Sequence, residues 1–328
     1  MLIIDSPSNN AYFNLATEEY LFNHLKEEEI FLLYVNAPSI IVGKYQNTLA
    51  EVNLDYVQNN EIKVVRRLTG GGAVYHDLGN LNFSFHTHLG DNDYLEFDTF
   101  TKPVIELLNQ LGVPAKLEGR NDLLVEGRKF SGNAKMTKGG KMIQHGTILI
   151  DSEMSVLVEA LKVNPLKFVD KATKSTRSRV TNLKEYLPQG TTTNSFKELL
   201  IESMLTYRPS AKLHALTEED IKAIEALVKE KYETWDWNFG FSPKYNFKKA
   251  IKLPAGFIEL HMDVMKGGRI DKVKIFGDFF ASEAIEELEN KIIGQHHDYD
   301  TIKKWVLQED FTPYFGRIDN KALMNLFF

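Results

Sequence analysis

The spacing of apolar and polar positions divides the chain into helices and strands without a regular βαβ alternation. Residues 11–26 predict a helix, with Tyr12, Leu15, Phe22 and Leu25 on one face and Glu19 interrupting it. Two apolar runs follow, Ile30–Val35 and Ser39–Val42, separated by Asn-Ala-Pro, and they predict a hairpin or paired strands. Val64 and Val65 end a further strand, and Leu81–His86 alternates in strand fashion. Over 101–111, Val104, Leu107, Leu108 and Leu111 fall at helical spacing, with Pro103 near the start and Gly112 and Pro114 past the end. Leu123–Val125 and Gly146–Ile150 read as strands. Residues 151–250 are more helical, and Thr217 with Asp220 predicts a capping box.

Beyond Pro254 the pattern changes. Two strands, Phe257–Val264 and Val273–Phe276, flank a Lys-Gly-Gly-Arg turn, and helices follow near 282–292 and 300–308. This irregular mixture predicts an α+β fold, with a larger domain over 1–247 and a small one over 248–328.

Composition removes several kinds of chemistry. The 328 residues include no cysteine, which excludes disulfides, thiolate metal sites and a cysteinyl nucleophile on this chain. A formal charge of −6 argues against a general nucleic-acid binder. No apolar run reaches the roughly 18 residues that span a bilayer, and the N-terminus lacks a basic signal region, so the expectation is a cytoplasmic protein; with no exposed apolar seam in the pattern, it is expected to be a monomer.

Two stretches concentrate candidate chemistry. In RRLTGGGAVYHD (66–77), three glycines follow a strand, so their N–H groups can form an anion-binding concavity, with Arg66 and Arg67 beside it to add charge. The loop is neither a P-loop nor a dinucleotide turn. In GRNDLLVEGRKFSGNA (119–134), Asp122 could offer oxygen to Mg²⁺, and Lys129 stands in a turn from which it could enter a cleft. Taken alone, Asn-Asp is also a common turn and Lys129 an ordinary surface lysine. His145 begins an apolar strand, where a lone histidine is more often structural than catalytic. The His86/His88 and His296/His297 pairs lack the spacing and carboxylate partners of a metal motif. Five basic residues between Lys167 and Arg179, with Lys162 before them, could face solvent or close over a phosphate.

Taken in order, NLATEE (14–19), IVGKYQN (41–47), RRLTGGGAVYHDLGN (66–80), GRNDLLVEGRKFSGNA (119–134), HGTIL (145–149) and TRSRVTNL (176–183) closely resemble the lipoate–protein ligase A family, over nearly the whole chain. The resemblance implies a fold related to biotin–protein ligase and a two-step reaction. Lipoate and ATP give lipoyl-adenylate and pyrophosphate, and the lipoyl group then passes to a lysine of a 2-oxoacid dehydrogenase lipoyl domain or the glycine-cleavage H protein. It implies that Lys129 contacts both the lipoyl carboxyl group and the phosphate. Arg67 and the backbone of Gly72, Ala73, Val74 and Tyr75 match nucleotide-binding positions. Gly71, Gly72 and His145 fall in the lipoate pocket, Asp122 is the Mg²⁺ candidate, and Arg177 and Arg179 lie on a loop that folds over the adenylate. Leu68-Thr69 departs from the family pattern, in which two small polar residues commonly precede the glycines; the expected effect is an altered pocket wall. The main alternative is an ATP-independent lipoyl or octanoyl transferase; a non-catalytic sensor of lipoate or its adenylate is weaker, because Lys129, Arg67 and the glycine loop are all retained.

Overall fold

The computed structural model describes the chain apart from residues 27–28, 90–97, 119–120, 162–179, 240–246, 254–255, 266–267, 317 and 328. The basic run from Lys162 to Arg179, including Arg177 and Arg179, therefore lies outside the described residues, as does half of the Lys-Gly-Gly-Arg turn.

An eight-stranded sheet forms the centre. Its strands are β1 (Leu2–Asp5), β2 (Ile30–Val35), β6 (Asn80–His88), β7 (Ala115–Glu118), β8 (Asp122–Val125), β9 (Arg128–Lys138), β10 (Lys141–Leu149) and β11 (Lys212–Leu213). They run in the order β11-β1-β2-β6-β10-β9-β8-β7, parallel around β1 and antiparallel elsewhere. Helices cover both faces. Phe31 and Leu33 of β2 pack with Val104, Leu108, Phe196 and Leu200 on one side, while Leu32 and Tyr34 pack with Leu15, Ile224 and Tyr232 on the other. A strand buried on both faces reads as an unbroken apolar run, which is why β2 shows no alternation.

The expected pairing of Ile30–Val35 with Ser39–Val42 does not form. Ser39–Val42, β3, leaves the large sheet and becomes the middle of a separate three-stranded one. It lies between β4 (Lys63–Arg66), parallel to it, and β5 (Val74–His76), antiparallel. Ile40 and Val42 find their own small core there with Val64 and Tyr75, so the Asn-Ala-Pro link is a crossover rather than a hairpin turn.

The first helix, α1 (Ala11–Asn23), starts where predicted, under an Asn10 side-chain cap, and ends three residues early. It buries Asn14, Thr17 and Glu18 alongside Leu15 and Ala16, which blurs its apolar stripe. Glu19 interrupts the pattern because its carboxylate receives Lys231 Nζ at 2.6 Å and Tyr232 Oη at 2.8 Å. The helix predicted at 101–111 runs Asp98–Gln110, which places Pro103 in its second turn. The Thr217/Asp220 capping box is present.

The C-terminal part is a meander of β12 (Phe247–Leu253), β13 (Gly256–Val264) and β14 (Ile270–Gly277), covered by helices Ile285–Ile292, Tyr299–Gln308 and Asn320–Phe327. Leu260, Ile275, Leu288, Ile302 and Phe315 belong to its core, into which Tyr45 of the larger part inserts. Tyr45 stacks on Phe279 at 4.9 Å between ring centres, and its carbonyl accepts from the Gly277 N–H at 2.8 Å.

Candidate active site

The loop Gly70–Gly72 between β4 and β5 packs against three neighbours at once. Gly71 has φ +92°, a conformation that costs a side-chain-bearing residue about 1 kcal/mol or more. A Cβ there would meet the Arg67 guanidinium at 2.9 Å and the Phe280 ring at 3.2 Å. From the opposite side Gly43 approaches so closely that its own Cβ would fall 1.9 Å from the Gly71 carbonyl oxygen. The Gly71 N–H donates to the Phe279 carbonyl at 3.3 Å, tying the loop to the C-terminal part.

The two arginines beside the loop do different work. Arg66 is fully buried and spends its donors on the carbonyls of Gly43, Lys44, Gln46, Trp237 and Asn238 and on Thr48 Oγ1. It cements the loop's surroundings and is not a second charge for a ligand, correcting the expectation that both arginines serve one. Arg67 reaches the site. Its Nη2 donates to the carbonyls of Gly70 (2.6 Å) and Gly72 (2.9 Å), its Nη1 to Ile41 (3.1 Å) and its Nε to Thr69 Oγ1 (3.0 Å). Burial lowers both arginines to about 10, so both stay charged at neutral pH.

A cavity of about 190 Å³ opens beside this loop. Arg67, Gly71, Gly72, Ala73 and Val74 line one wall, Lys129, Gly132 and Asn133 of β9 and His145 and Gly146 of β10 another, and Phe280 reaches in from the C-terminal part. The structure thus brings together most of the residues singled out in two separate stretches. Tyr75 and Asp122 are not among the cavity's lining: strand alternation turns the Tyr75 side chain into the core with Ile40 and Val42, and Asp122 meets the site only through its ion pair with Lys129.

Lys129 owes its direction to a β-bulge. Between β8 and β9, Leu123 opposes Ser131 and Leu124 opposes Lys129, which leaves Phe130 as an extra residue buried in the core. The Lys129 side chain lies across Gly132, where a Cβ would stand 3.0 Å from Nζ, and Nζ meets Asp122 Oδ1 at 2.8 Å. Its carbonyl accepts from the Thr181 N–H at 2.8 Å, and Val180 bridges to it. The described chain after residue 179 is thereby anchored on the strand that carries Lys129.

Behind the cavity runs a network that sequence reading missed. Glu18 of α1 is completely buried and meets His145 Nδ1 through both oxygens, at 3.0 and 2.8 Å. Tyr34 Oη donates to Glu18 Oε1 at 3.0 Å. Burial by itself would raise the Glu18 pKa, but the charge of His145 and hydrogen bonds from His145 and Tyr34 outweigh it and hold the carboxyl below its ordinary value. The other ring nitrogen of His145 lies 2.7 Å from Thr69 Oγ1, which also accepts from Arg67. Thr69, flagged only as a departure from a family pattern, is therefore the joint between His145 and the guanidinium that holds the glycine loop. His76 also lines the cavity, paired through Nδ1 with Asn36.

Metal chemistry was expected only at Asp122. Among the described residues no three carboxylate, histidine or cysteine side chains cluster as a metal site. Asp122 offers one carboxylate, with one oxygen on Lys129, which suits Mg²⁺ delivered with phosphates and waters rather than a protein-built cage.

Residues 10–205 match the lipoyl protein ligase A/B catalytic domain, and residues 242–327 match the bacterial lipoate protein ligase C-terminus. The lipoate-protein ligase LplJ of Bacillus subtilis is 45% identical over 332 residues, covering 100% of both chains. Among solved structures, P. falciparum LipL1 in complex with lipoate superposes with a TM-score of 0.79 at 27% identity, over 99% of this chain and 97% of that one. A bipartite lipoate protein ligase from Thermoplasma acidophilum, described with its E2 lipoyl domain, gives a TM-score of 0.64 at 31% identity over 75% of this chain and 98% of that one. A lipoate-protein ligase A bound with ATP gives 0.63 at 29% identity, over 73% and 98%. With its catalytic and C-terminal regions both matched, the chain belongs to the lipoate–protein ligase family.

Proposed function

We propose that this chain condenses lipoate with ATP and then delivers the lipoyl group to a protein lysine. The observation that carries the reading is that Lys129 and the glycine loop line one cavity, to which Phe280 also contributes.

In the first step a lipoate carboxylate oxygen attacks the α-phosphorus of ATP; that O–P bond forms as the bond from the α-phosphorus to the bridging oxygen breaks, and pyrophosphate leaves with its electron pair. Two anions must approach each other, so the site must neutralise charge and fix their alignment. The Lys129 ammonium is the mobile positive charge at the cavity mouth, able to leave Asp122 for the reacting oxygens. Arg67 acts chiefly through the loop, pulling the carbonyls of Gly70 and Gly72 to itself. With those carbonyls held and the Gly71 N–H tied to Phe279, the backbone of Gly72, Ala73, Val74 and Tyr75 is left as the nucleotide's cradle. Gly71, Gly72 and His145 border the lipoyl group. Mg²⁺, contacted by Asp122, would offset phosphate charge when bound. Arg177 and Arg179 are assigned to cover the adenylate.

In the second step the neutral ε-amine of an acceptor lysine attacks the lipoyl carbonyl carbon. An amide forms, the mixed anhydride breaks and AMP leaves, while the amine's proton passes to solvent. We assign the acceptor as a lipoyl domain of a 2-oxoacid dehydrogenase or the glycine-cleavage H protein, the division as 1–247 and 248–328, and the working state as a cytoplasmic monomer. Among the described residues no helix is long and apolar enough to cross a membrane. The test supplies purified protein with Mg²⁺, ATP, lipoate and a lipoyl domain. The expected result is a lipoyl mass increment on the domain with stoichiometric AMP; modification that proceeds without ATP would replace this reading with the transferase.

A further inference from the structure

One donor on the cavity wall has no use inside the protein. The Asn14 amide nitrogen donates to the Ser8 carbonyl at 2.8 Å, which fixes that amide's orientation, because a carbonyl oxygen only accepts. The same nitrogen donates to Asn36 Oδ1 at 2.8 Å, so the amide nitrogen of Asn36 must face His76 Nδ1, at 3.0 Å, and donate to it. His76 Nδ1 is then an acceptor, and the neutral ring carries its hydrogen on Nε2. Burial, with Arg67 and His145 nearby, holds the imidazole pKa down at about 3, so the ring is neutral at any working pH. Nε2 is buried and has no hydrogen-bond partner among the described residues. An unmet buried N–H is costly, and at a ligand cavity it calls for an acceptor on the ligand.

The position of His76 says which end of the ligand that is. The Lys129 side chain is more than a third exposed, whereas His76 is buried. Strand β5 leads from the glycine loop to His76, which stands about 10 Å beyond Ala73 at the usual rise per residue. That is the reach of an extended acyl chain whose carboxyl group is held at Lys129 and the loop. Leu15, Ile41 and Val74 supply apolar wall alongside.

We propose that His76 is a specificity residue whose Nε2–H donates to a sulfur of the bound dithiolane ring, so that the site distinguishes a sulfur-bearing acyl acid from a hydrocarbon acid of the same shape. The proposal rests on the lipoate-activating reading above. Sulfur is a weak acceptor, but the low local dielectric inside a protein strengthens the contact, and a ring of methylenes in its place strands the donor.

The test uses the full chain and follows pyrophosphate release with ATP and Mg²⁺. Lipoate is compared with 5-cyclopentylpentanoate, which replaces both sulfurs by methylenes. Wild type is expected to favour lipoate in kcat/KM, His76→Phe to lose about three- to tenfold of that preference through KM, and His76→Gln, which keeps a donor, to retain it within about twofold. Each ratio is taken on one preparation, so a partly unfolded variant does not shift it. A wild type that treats the two acids alike, or a His76→Phe that loses both equally, overturns the assignment. If His76→Phe does not fold, the wild-type ratio and His76→Gln decide. Wild type that releases pyrophosphate with neither acid overturns the ligase reading itself, a different outcome from activity without discrimination.

Discussion

Lys129 Nζ stands 2.8 Å from Asp122 Oδ1 at the cavity mouth, with both side chains more than a third exposed. An ion pair that wet contributes about 0–1 kcal/mol to stability, so its place in the fold does not depend on it. On the proposed mechanism the pair is a parking position for a cation that works on the reacting oxygens. Lys129→Ala is therefore expected to lower adenylate formation by roughly a hundredfold or more, the scale of removing one group directed at developing charge, while thermal unfolding moves by no more than a few degrees. Rates of pyrophosphate release and a melting curve on the same sample check both halves.

Glu18 and His145 are coupled differently, since both are buried and each satisfies the other. Glu18→Ala leaves His145 without its Nδ1 partner and removes the acceptor of Tyr34. The expected cost is about 3 kcal/mol in urea unfolding, the range for breaking a buried pair, with Glu18→Gln costing less. Because Thr69 links His145 to Arg67, Glu18→Ala is also expected to raise the KM for ATP.

Gly71→Ala tests the loop. The new methyl would enter at φ +92° against Arg67 and Phe280. A loss of about 1–3 kcal/mol is expected, together with weaker nucleotide binding measured by calorimetry. The same change at Gly72, where a Cβ meets nothing within 4 Å, should leave stability within about 1 kcal/mol.

Acid should loosen the core before ordinary carboxylates titrate. Burial depresses His76 to about 3 and His86 to about 4, against 6.5 when unfolded. Between those values the unfolded chain binds more protons than the folded one, so stability is full above about pH 6.5 and falls as pH drops below it. The Glu18 pKa is also depressed; its contribution is present above the unfolded carboxylate value and is lost further into acid. Urea midpoints should be flat from pH 8 to 7 and decline steadily from 6.5 to 4; a decline confined below pH 4.5 would show that the buried histidines do not govern it.

What could be read from the sequence follows how far apart the interacting residues lie. The glycine loop and Lys129 each sit in a long contiguous motif, and the loop's distinctive composition speaks for itself. Glu18 and His145 are 127 positions apart, and only the packing of α1 against β10 makes them a pair. The departure at Thr69 was visible, but its bonds to His145 and Arg67 needed the fold. The role of Arg66 is hidden for a related reason, since adjacent arginines look equivalent until the fold sends one into a cage of carbonyls. The crossover at Asn36–Pro38 was hidden because a fully buried apolar strand looks the same in either sheet.

The most direct measurement of the central claim is exchange of labelled pyrophosphate into ATP by the purified chain with Mg²⁺ and no acceptor protein. Exchange that requires lipoate and disappears in Lys129→Ala is the predicted result, because the proposed mechanism makes adenylate formation reversible and dependent on that ammonium. Folded wild-type protein that exchanges nothing, yet moves lipoyl or octanoyl groups between carrier proteins without ATP, would contradict it.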